Sequence, residues 1–173
     1  ESSISGPKVR QVVCLFGDST QYSRSQYDYL IQNALSATYP DSVVHNFGVS
    51  GSVTEQGIHG ITGLRASLDE NIKQYGCTIV TANYGINDAA KLKVSPELYL
   101  YRMKQFESIS VGNGAMFILE TPNPILNAFD NYLEQYTNVA LQSFITVDHY
   151  CATKALPSWQ SMLPDGVHPN DEL

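Results

Sequence analysis

The sequence predicts an α/β fold built around a parallel sheet. Short runs rich in β-branched residues alternate along the chain with segments whose apolar residues recur at helical spacing. Glycine and proline residues separate these segments, and no internal repeat or low-complexity tract interrupts them. Because right-handed crossovers place helices on both faces of a parallel sheet, this alternation favours a sheet covered on both sides.

Five runs are predicted as the strands of this sheet. The first contains Val12 and Val13 and is closed by Gly17, which is typical of a buried strand. The predicted strands cover residues 8–16, 43–47, 78–83, 115–119 and 145–147.

The segments between the strands are predicted as helices and loops. Six residues between Tyr27 and Thr38 recur at helical spacing, and Pro40 ends this helix. Further helices are predicted over residues 64–74, 96–110, 130–144 and 148–154. The glycine-rich segment 48–63, the turn 112–114, the proline-containing loop 121–124 and the tail 155–173 are predicted to lack regular structure.

Length and composition exclude several classes of protein. The chain has 173 residues, which suits one domain, here residues 8–173, and 43% of them are hydrophobic, enough to bury a core. A net charge of −7 without a Lys/Arg cluster excludes nucleic acid as a partner. No apolar stretch approaches the roughly 18 residues that a membrane span needs. Residues 1–7 show no signal peptide and are interpreted as a linker.

The cysteine and histidine residues do not predict a cofactor site. Cys14, Cys77 and Cys151 form no CxxC pair and cannot all be joined within one chain, so a disulfide scaffold is excluded. The cellular compartment stays open, with a secreted or extracellular location favoured over the cytoplasm. The remaining histidines lack the spacing of a metal site and are assigned solvent-facing or capping roles; they are His45, His59 and His149. The segment 57–63 matches neither a phosphate loop nor a dinucleotide fingerprint. We expect neither metal nor cofactor.

Candidate chemistry begins directly after the first predicted strand. Ligands bind parallel sheets beyond the carboxyl ends of the strands, and Gly17-Asp18-Ser19 lies at such an end. The Ser19 hydroxyl is therefore a candidate nucleophile. The alternative is that Asp18 or Ser19 only caps the following helix.

A candidate base and its partner lie in the tail. Asp165 precedes His168 by three residues, a spacing that lets the two side chains meet in one turn, and Pro169 helps to hold that turn. A carboxylate bonded to one imidazole nitrogen leaves the other free to take a proton from a serine hydroxyl. The alternative is an ordinary surface turn.

Two glycine-containing loops offer donors for an oxyanion. Gly51 follows the second predicted strand and can bring a bare backbone N–H close to a substrate. Asn87 follows the third strand and carries a side-chain amide donor. The alternative for both loops is a glycine-assisted turn.

Taken together, these segments resemble the SGNH, or GDSL-type, hydrolases. Gly17-Asp-Ser19-Thr is similar to the family's first block, Gly51 to the second, Gly85-Ile-Asn87-Asp88 to the third and Asp165-Gly-Val-His168-Pro to the last, in the family's order.

The resemblance implies a flavodoxin-like αβα sandwich with a five-stranded parallel sheet in the order 2-1-3-4-5, and hydrolysis of acyl esters without a metal. It assigns Ser19 as nucleophile, His168 as base and Asp165 as its orienting carboxylate. The amides of Ser19 and Gly51 and the side chain of Asn87 would form the oxyanion hole, and Asp18 would hold the loop.

The chain departs from the family pattern at two places. Thr20 replaces the usual leucine of the first block, a position that varies in the family. The sequence stops at Leu173, whereas family members usually continue into a closing helix, so part of the sheet is expected to be uncovered.

The favoured substrate is an O-acetylated carbohydrate. The aromatic residues Tyr22, Tyr84 and Trp159 lie in or near the predicted cleft loops and are candidates for stacking on a sugar ring. The sequence lacks the long apolar lid that a lipase would need. A thioesterase, a lysophospholipase or an acyltransferase would use the same triad. The alternative from another class is a non-catalytic carbohydrate-binding domain of a larger protein. The sequence leaves the oligomeric state open.

Overall fold

The computed structural model describes residues 9–173 and contains a five-stranded parallel sheet. The strands are β1 (Val12–Gly17), β2 (Val43–Asn46), β3 (Ile79–Asn83), β4 (Met116–Glu120) and β5 (Thr146–Val147). Their spatial order is β2-β1-β3-β4-β5, and every pair is parallel, so the predicted order is confirmed. The predicted linker 1–7, and Lys8 at the start of the predicted first strand, lie outside the described residues.

The described residues also form eight α-helices, of which the last follows β5. They are α1 (Ser19–Ser23), α2 (Asp28–Thr38), α3 (Thr54–His59), α4 (Leu68–Tyr75), α5 (Ile86–Leu92), α6 (Pro96–Gly112), α7 (Asp130–Ser143) and α8 (His149–Lys154). Short 3₁₀ turns lie at Arg24–Tyr27 and Trp159–Met162. Serine caps start two of the longer helices: Ser67 accepts from the Glu70 amide and Ser95 from the Leu98 amide.

Two helices were predicted as loops. The glycine-rich segment 48–63 contains α3, whose first turn is held by the Gln56 side chain, which accepts from the Val53 amide. Position 57 inside α3 is a glycine because a Cβ there would lie 2.6 Å from the Tyr84 hydroxyl oxygen, too close for a side chain. The segment after β3 contains α5, which starts after Gly85. In both places glycine serves close packing, whereas the sequence pattern suggested turns.

The main hydrophobic core lies on one face of the sheet. Val12, Cys14 and Phe16 of β1 point into it, together with the large buried side chains of α6 and α7. The opposite face is covered less completely. Helix α2, which crosses that side, has no buried residue, and its Leu30 and Ile31 are 54% and 42% exposed, although helical spacing predicted a buried stripe for them.

A disulfide joins β1 to the segment just before β3 within the core. Cys14 lies in β1 and Cys77 lies two residues before β3, and both are buried. The sequence analysis excluded a disulfide scaffold but did not foresee this single bridge, which leaves Cys151 free and exposed. The spacing of three isolated cysteines gave no indication of which two would meet.

Candidate active site

The turn from β1 into α1 presents Ser19 at the carboxyl edge of the sheet. Asp18 caps α1, with its Oδ1 accepting from the Thr20 amide at 3.0 Å, and the Asp18 amide donates to the Asn83 carbonyl of β3. The turn is tight, since a Cβ at Gly17 would lie 2.5 Å from the Gln21 Cβ. Ser19 is half-buried and opens the helix, so its hydroxyl projects above the strands.

The tail brings His168 and Asp165 to this hydroxyl. Ser19 Oγ lies 2.9 Å from His168 Nε2, and His168 Nδ1 lies 2.5 Å from Asp165 Oδ2. A carboxylate can only accept a hydrogen bond, so Nδ1 carries the proton and Nε2 of the neutral ring accepts from the serine. The three side chains are thus connected by hydrogen bonds, and the imidazole can take the hydroxyl proton during attack on a carbonyl.

Local hydrogen bonds keep the Asp165 carboxyl ionised. Its Oδ1 accepts from the amides of His168 and Val167 at 2.7 and 2.9 Å. The His168 amide, then the His168 ring and the Val167 amide hold the pKa of Asp165 well below its usual range. The carboxylate is therefore available to orient the imidazole at any ordinary pH.

Gly51 lies on the loop after β2 and Asn87 lies at the start of α5, at the same edge of the sheet. Gly51 adopts a φ of +76°, which favours glycine. Asn87 lies in the first turn of α5 and donates one of its two amide protons to the Ser52 carbonyl at 3.1 Å, which leaves the other for a ligand. The Ser52 hydroxyl donates to the Gly17 carbonyl at 3.2 Å and so joins this loop to the end of β1.

Two buried carboxyls lie beneath these loops. Burial raises the pKa of Asp18 to about 7 and that of Asp88 to about 6. Asp88 accepts from both the amide and the hydroxyl of Thr54, so it joins α5 to the start of α3. These contacts hold the loops together.

The three aromatic residues predicted to contact substrate have different surroundings. Tyr22 is 58% exposed, lies one turn after Ser19 and borders Gly48. Trp159 is half-buried at the start of a short 3₁₀ turn in the tail. Tyr84 is completely buried and its hydroxyl accepts from Arg65, so its assignment as a substrate contact is wrong. The residue after β3 points into the core, although the loop that it opens reaches the site.

Sequence reasoning missed two residues that hold the site. Lys91 lies one turn after Asn87 on α5 and donates to the Gly51 carbonyl at 2.8 Å; a spacing of four residues on one helix was the available signal. Asn123 stands between two prolines after β4 and donates to the Val167 carbonyl at 2.9 Å. A buried polar residue in a proline-rich loop was the only indication.

A cavity of about 640 Å³ lies beside the site, between α2 and the end of the chain. Leu15 of β1 and Glu120 of β4 line it, together with Thr20 and Pro169, the neighbours of Ser19 and His168. His149 Nε2 lies 2.9 Å from Glu120 Oε1, a pairing that its predicted solvent-facing or capping role did not include. Burial alone would raise the pKa of Glu120, but the hydrogen bond and charge of His149 lower it.

Within residues 9–173, no three His, Cys, Asp or Glu side chains are grouped so that they would hold a metal ion. None of the helices in this same part of the chain combines the length and apolar character that crossing a membrane requires.

Known proteins resemble this chain in family and in fold. The model of the family GDSL-like Lipase/Acylhydrolase matches residues 13–173. No curated protein sequence matches the chain. A catalytic mutant of Axe2, an acetylxylan esterase from Geobacillus stearothermophilus, superposes with a TM-score of 0.71 at 20% identity, covering 94% of this chain and 89% of that chain.

Two further solved structures show the same fold. TesA superposes with a TM-score of 0.69 at 18% identity, covering 92% of this chain and 89% of that chain. A carbohydrate esterase family 3 protein from Talaromyces cellulolyticus gives a TM-score of 0.69 at 15% identity, with 94% and 89% covered. Since the family match extends from the first strand to the last residue, the chain belongs to the GDSL-like lipase/acylhydrolase family of ester-bond hydrolases.

Proposed function

We propose that the protein is a serine esterase that removes short acyl groups, above all acetyl, from O-acylated carbohydrate. The observation that carries the proposal is the hydrogen-bonded relay from Ser19 through His168 to Asp165, with distances of 2.9 and 2.5 Å. A capping role for Ser19 would not require its hydroxyl to bond to an imidazole, and an ordinary surface turn at residues 165–168 would not require contact with Ser19.

The proposed reaction has two acyl-transfer steps. Ser19 Oγ attacks the ester carbonyl while His168 Nε2 takes the hydroxyl proton, and the amides of Ser19 and Gly51 with the Asn87 side chain stabilise the oxyanion. Collapse of this intermediate breaks the ester C–O bond, and the departing alcohol receives the proton from His168. Water, deprotonated by His168, then attacks the acyl-serine and releases the acid.

The preference for an acetylated sugar rests on the surroundings of the triad. The His168 and Asp165 side chains are 46% and 55% exposed, so a bulky acceptor can approach the site without a lid opening. Tyr22 offers an exposed aromatic face one turn from Ser19. The names of two structural neighbours, an acetylxylan esterase and a carbohydrate esterase, fit this substrate class.

We also propose a secreted or otherwise oxidising location. The buried bridge between Cys14 and Cys77 supports it, because disulfides of this structural type persist mainly outside the reducing cytosol.

The first experiment is hydrolysis of p-nitrophenyl esters from acetate to octanoate, followed by release of acetate from acetylated xylooligosaccharides. We expect activity that falls with acyl length, and loss of about 10⁴-fold or more in Ser19→Ala and His168→Ala. Ser23→Ala is the matched control, since Ser23 ends the same helix and donates only to the Thr20 carbonyl.

Each alternative has its own outcome. Activity that rises with acyl length favours a lysophospholipase, and preference for thioesters favours a thioesterase. Transfer of the acyl group to an added alcohol in place of water favours an acyltransferase. A folded protein that neither hydrolyses any ester nor reacts with a fluorophosphonate is a binding domain, and that result would overturn the proposal.

A further inference from the structure

The turn that carries Asp165 and His168 is held from two sides. Its amides, those of Val167 and His168, donate to Asp165 Oδ1 within the turn itself. Its carbonyls accept from a different part of the chain. Gly166 O accepts from the Leu126 amide at 2.7 Å, and Val167 O accepts from Asn123 Nδ2 at 2.9 Å.

Asn123 is fixed more firmly than the residues that it holds. Its side chain is almost completely buried, and the second proton of its amide is donated to the Pro124 carbonyl at 3.0 Å. Pro122 and Pro124 restrict the backbone on both sides of it. Both donors are therefore committed, while the amide oxygen is buried without a hydrogen-bond partner.

The loop that carries Asn123 is itself anchored to the helices. The Ile125 amide donates to Asp130 Oδ1 at the start of α7, and the other oxygen of Asp130 accepts from the Tyr150 hydroxyl of α8 at 2.7 Å. Ile125 is buried in the hydrophobic core. A rigid path thus leads from the core through Asn123 to the residue that precedes His168.

The reacting side chains have no comparable packing. About half of the surface of the His168 and Asp165 side chains is exposed, so apart from its hydrogen bonds to Asp165 and Ser19 the imidazole ring has little packing to hold it. Its place 2.9 Å from Ser19 Oγ depends on the backbone of the turn. Loss of one carbonyl anchor would let the turn, and with it the ring, move away from the serine.

We propose that Asn123 is a positioning residue for His168, acting through the Val167 carbonyl. The kinetic part of this inference rests on the proposed esterase activity. Because the anchor touches no substrate, its loss lowers kcat and leaves KM nearly unchanged. Displacement of a reacting group by a fraction of an ångström is enough for a loss of about 10-fold or more.

The test compares Asn123→Ala with Asn71→Ala. Asn71 of α4 is a matched control: it is also buried, its side-chain amide also donates to a backbone carbonyl, that of Ala66, and it makes no hydrogen bond to the turn that carries His168. Both variants are expected to melt at a lower temperature than the wild type. At a temperature where both are folded, only Asn123→Ala should lose kcat and react more slowly with a fluorophosphonate.

A second readout does not require turnover. The proton shared by His168 Nδ1 and Asp165 gives a downfield proton NMR signal, which we expect to broaden or move upfield in Asn123→Ala and to stay unchanged in Asn71→Ala. If Asn123→Ala does not fold, Asn123→Ser, which leaves a smaller void, takes its place in both measurements.

Equal kcat in the two variants, together with an unchanged NMR signal, would overturn the inference. If the wild type hydrolyses no ester, the proposed function fails on its own, and the NMR comparison alone decides the role of Asn123. A rise in KM without a change in kcat would assign Asn123 to substrate binding and would also contradict the proposal.

Discussion

The ammonium group of Lys91 donates a hydrogen bond of 2.8 Å to the carbonyl oxygen of Gly51. One turn earlier on α5, the Asn87 amide donates to the next carbonyl, that of Ser52. One face of a short helix therefore holds two successive peptide groups of the loop that would supply an oxyanion donor.

Replacing Lys91 with methionine should slow catalysis. Lys91→Met keeps the length of the side chain but removes the donor, so the Gly51 peptide becomes mobile and kcat should fall about 3- to 10-fold with little change in KM. Steady-state kinetics with p-nitrophenyl acetate measure this. Lys73→Met is the control, because Lys73 forms an exposed ion pair with Asp69 on α4. Equal kcat in both variants would argue against a role for Lys91.

A methyl group at Gly51 should impair activity beyond its cost in stability. Gly51 and Gly63 have φ angles of +76° and +75°, so alanine at either should lower the free energy of unfolding by about 1–2 kcal/mol. A Cβ at Gly51 would lie 3.0 Å from Lys91 Nζ, whereas one at Gly63 meets nothing within 4 Å. Urea unfolding should give similar losses, and kinetics should show a fall only in Gly51→Ala. Similar kinetics in both would remove Gly51 from the site.

The pH dependence of stability should report on Asp18. Its pKa is 3.8 in an ordinary setting and about 7 in the folded protein, so between these values the unfolded chain has lost a proton that the folded chain retains. Stability contributed by this carboxyl therefore falls as pH rises from about 4 to 7 and is constant above, with a total cost of at most roughly 4 kcal/mol.

Asp18→Asn removes this dependence while its side-chain oxygen can still cap α1. We expect the variant to match the wild type at pH 4 and to be more stable at pH 8, as measured by urea unfolding. Asp69→Asn serves as contrast, because hydrogen bonds from Lys73 and Asn113 lower the pKa of that exposed carboxyl. Parallel pH curves for Asp18→Asn and the wild type would contradict the assignment.

Reduction of the bridge between Cys14 and Cys77 should destabilise the protein. The bridge closes a loop between residues 63 positions apart, which corresponds to about 4 kcal/mol of lost entropy in the unfolded chain. For a chain of this size we expect the melting temperature to fall by roughly 10 °C. Calorimetry with and without a reductant measures the difference.

Counting thiols in the unfolded protein tests the bridge directly. Without reductant only Cys151 should react, and with reductant all three cysteines should. Cys151→Ala should then show no reactive thiol and nearly unchanged stability. Three reactive thiols before reduction would show that the bridge does not form.

The sequence predicts the sheet well because each strand has a local signature. The runs at Val12–Gly17 and Ile79–Asn83 each begin with β-branched apolar residues and are bounded by turn residues, and alternation with helices leaves few topologies. Ser19 and His168 were predicted as partners for a related reason, and the structure brings them within hydrogen-bond distance. Ligands bind parallel sheets beyond the carboxyl ends of the strands, and a carboxylate three residues before an imidazole is a pattern that does not depend on the rest of the chain.

The features that the sequence did not predict depend on contacts between residues far apart in the chain. Gly57 suggests a turn until Tyr84 is known to lie against it, and Tyr84 suggests a cleft residue until its contact with Arg65 is known. The pairing of Cys14 with Cys77 and the bond from Asn123 to Val167 likewise join segments that have no local reason to meet. Propensity and spacing carry no information about such pairs.

Ser19 and His168 lie 149 positions apart in the chain, and this distance has a consequence during protein synthesis. The strand and helix that display the serine emerge from the ribosome early, but its hydroxyl remains an ordinary alcohol until the tail with Asp165 and His168 has been translated and has docked. A nascent chain, or one cut short before this tail, carries a nucleophile that has no base. Reactivity therefore appears only when nearly all of the described chain has folded.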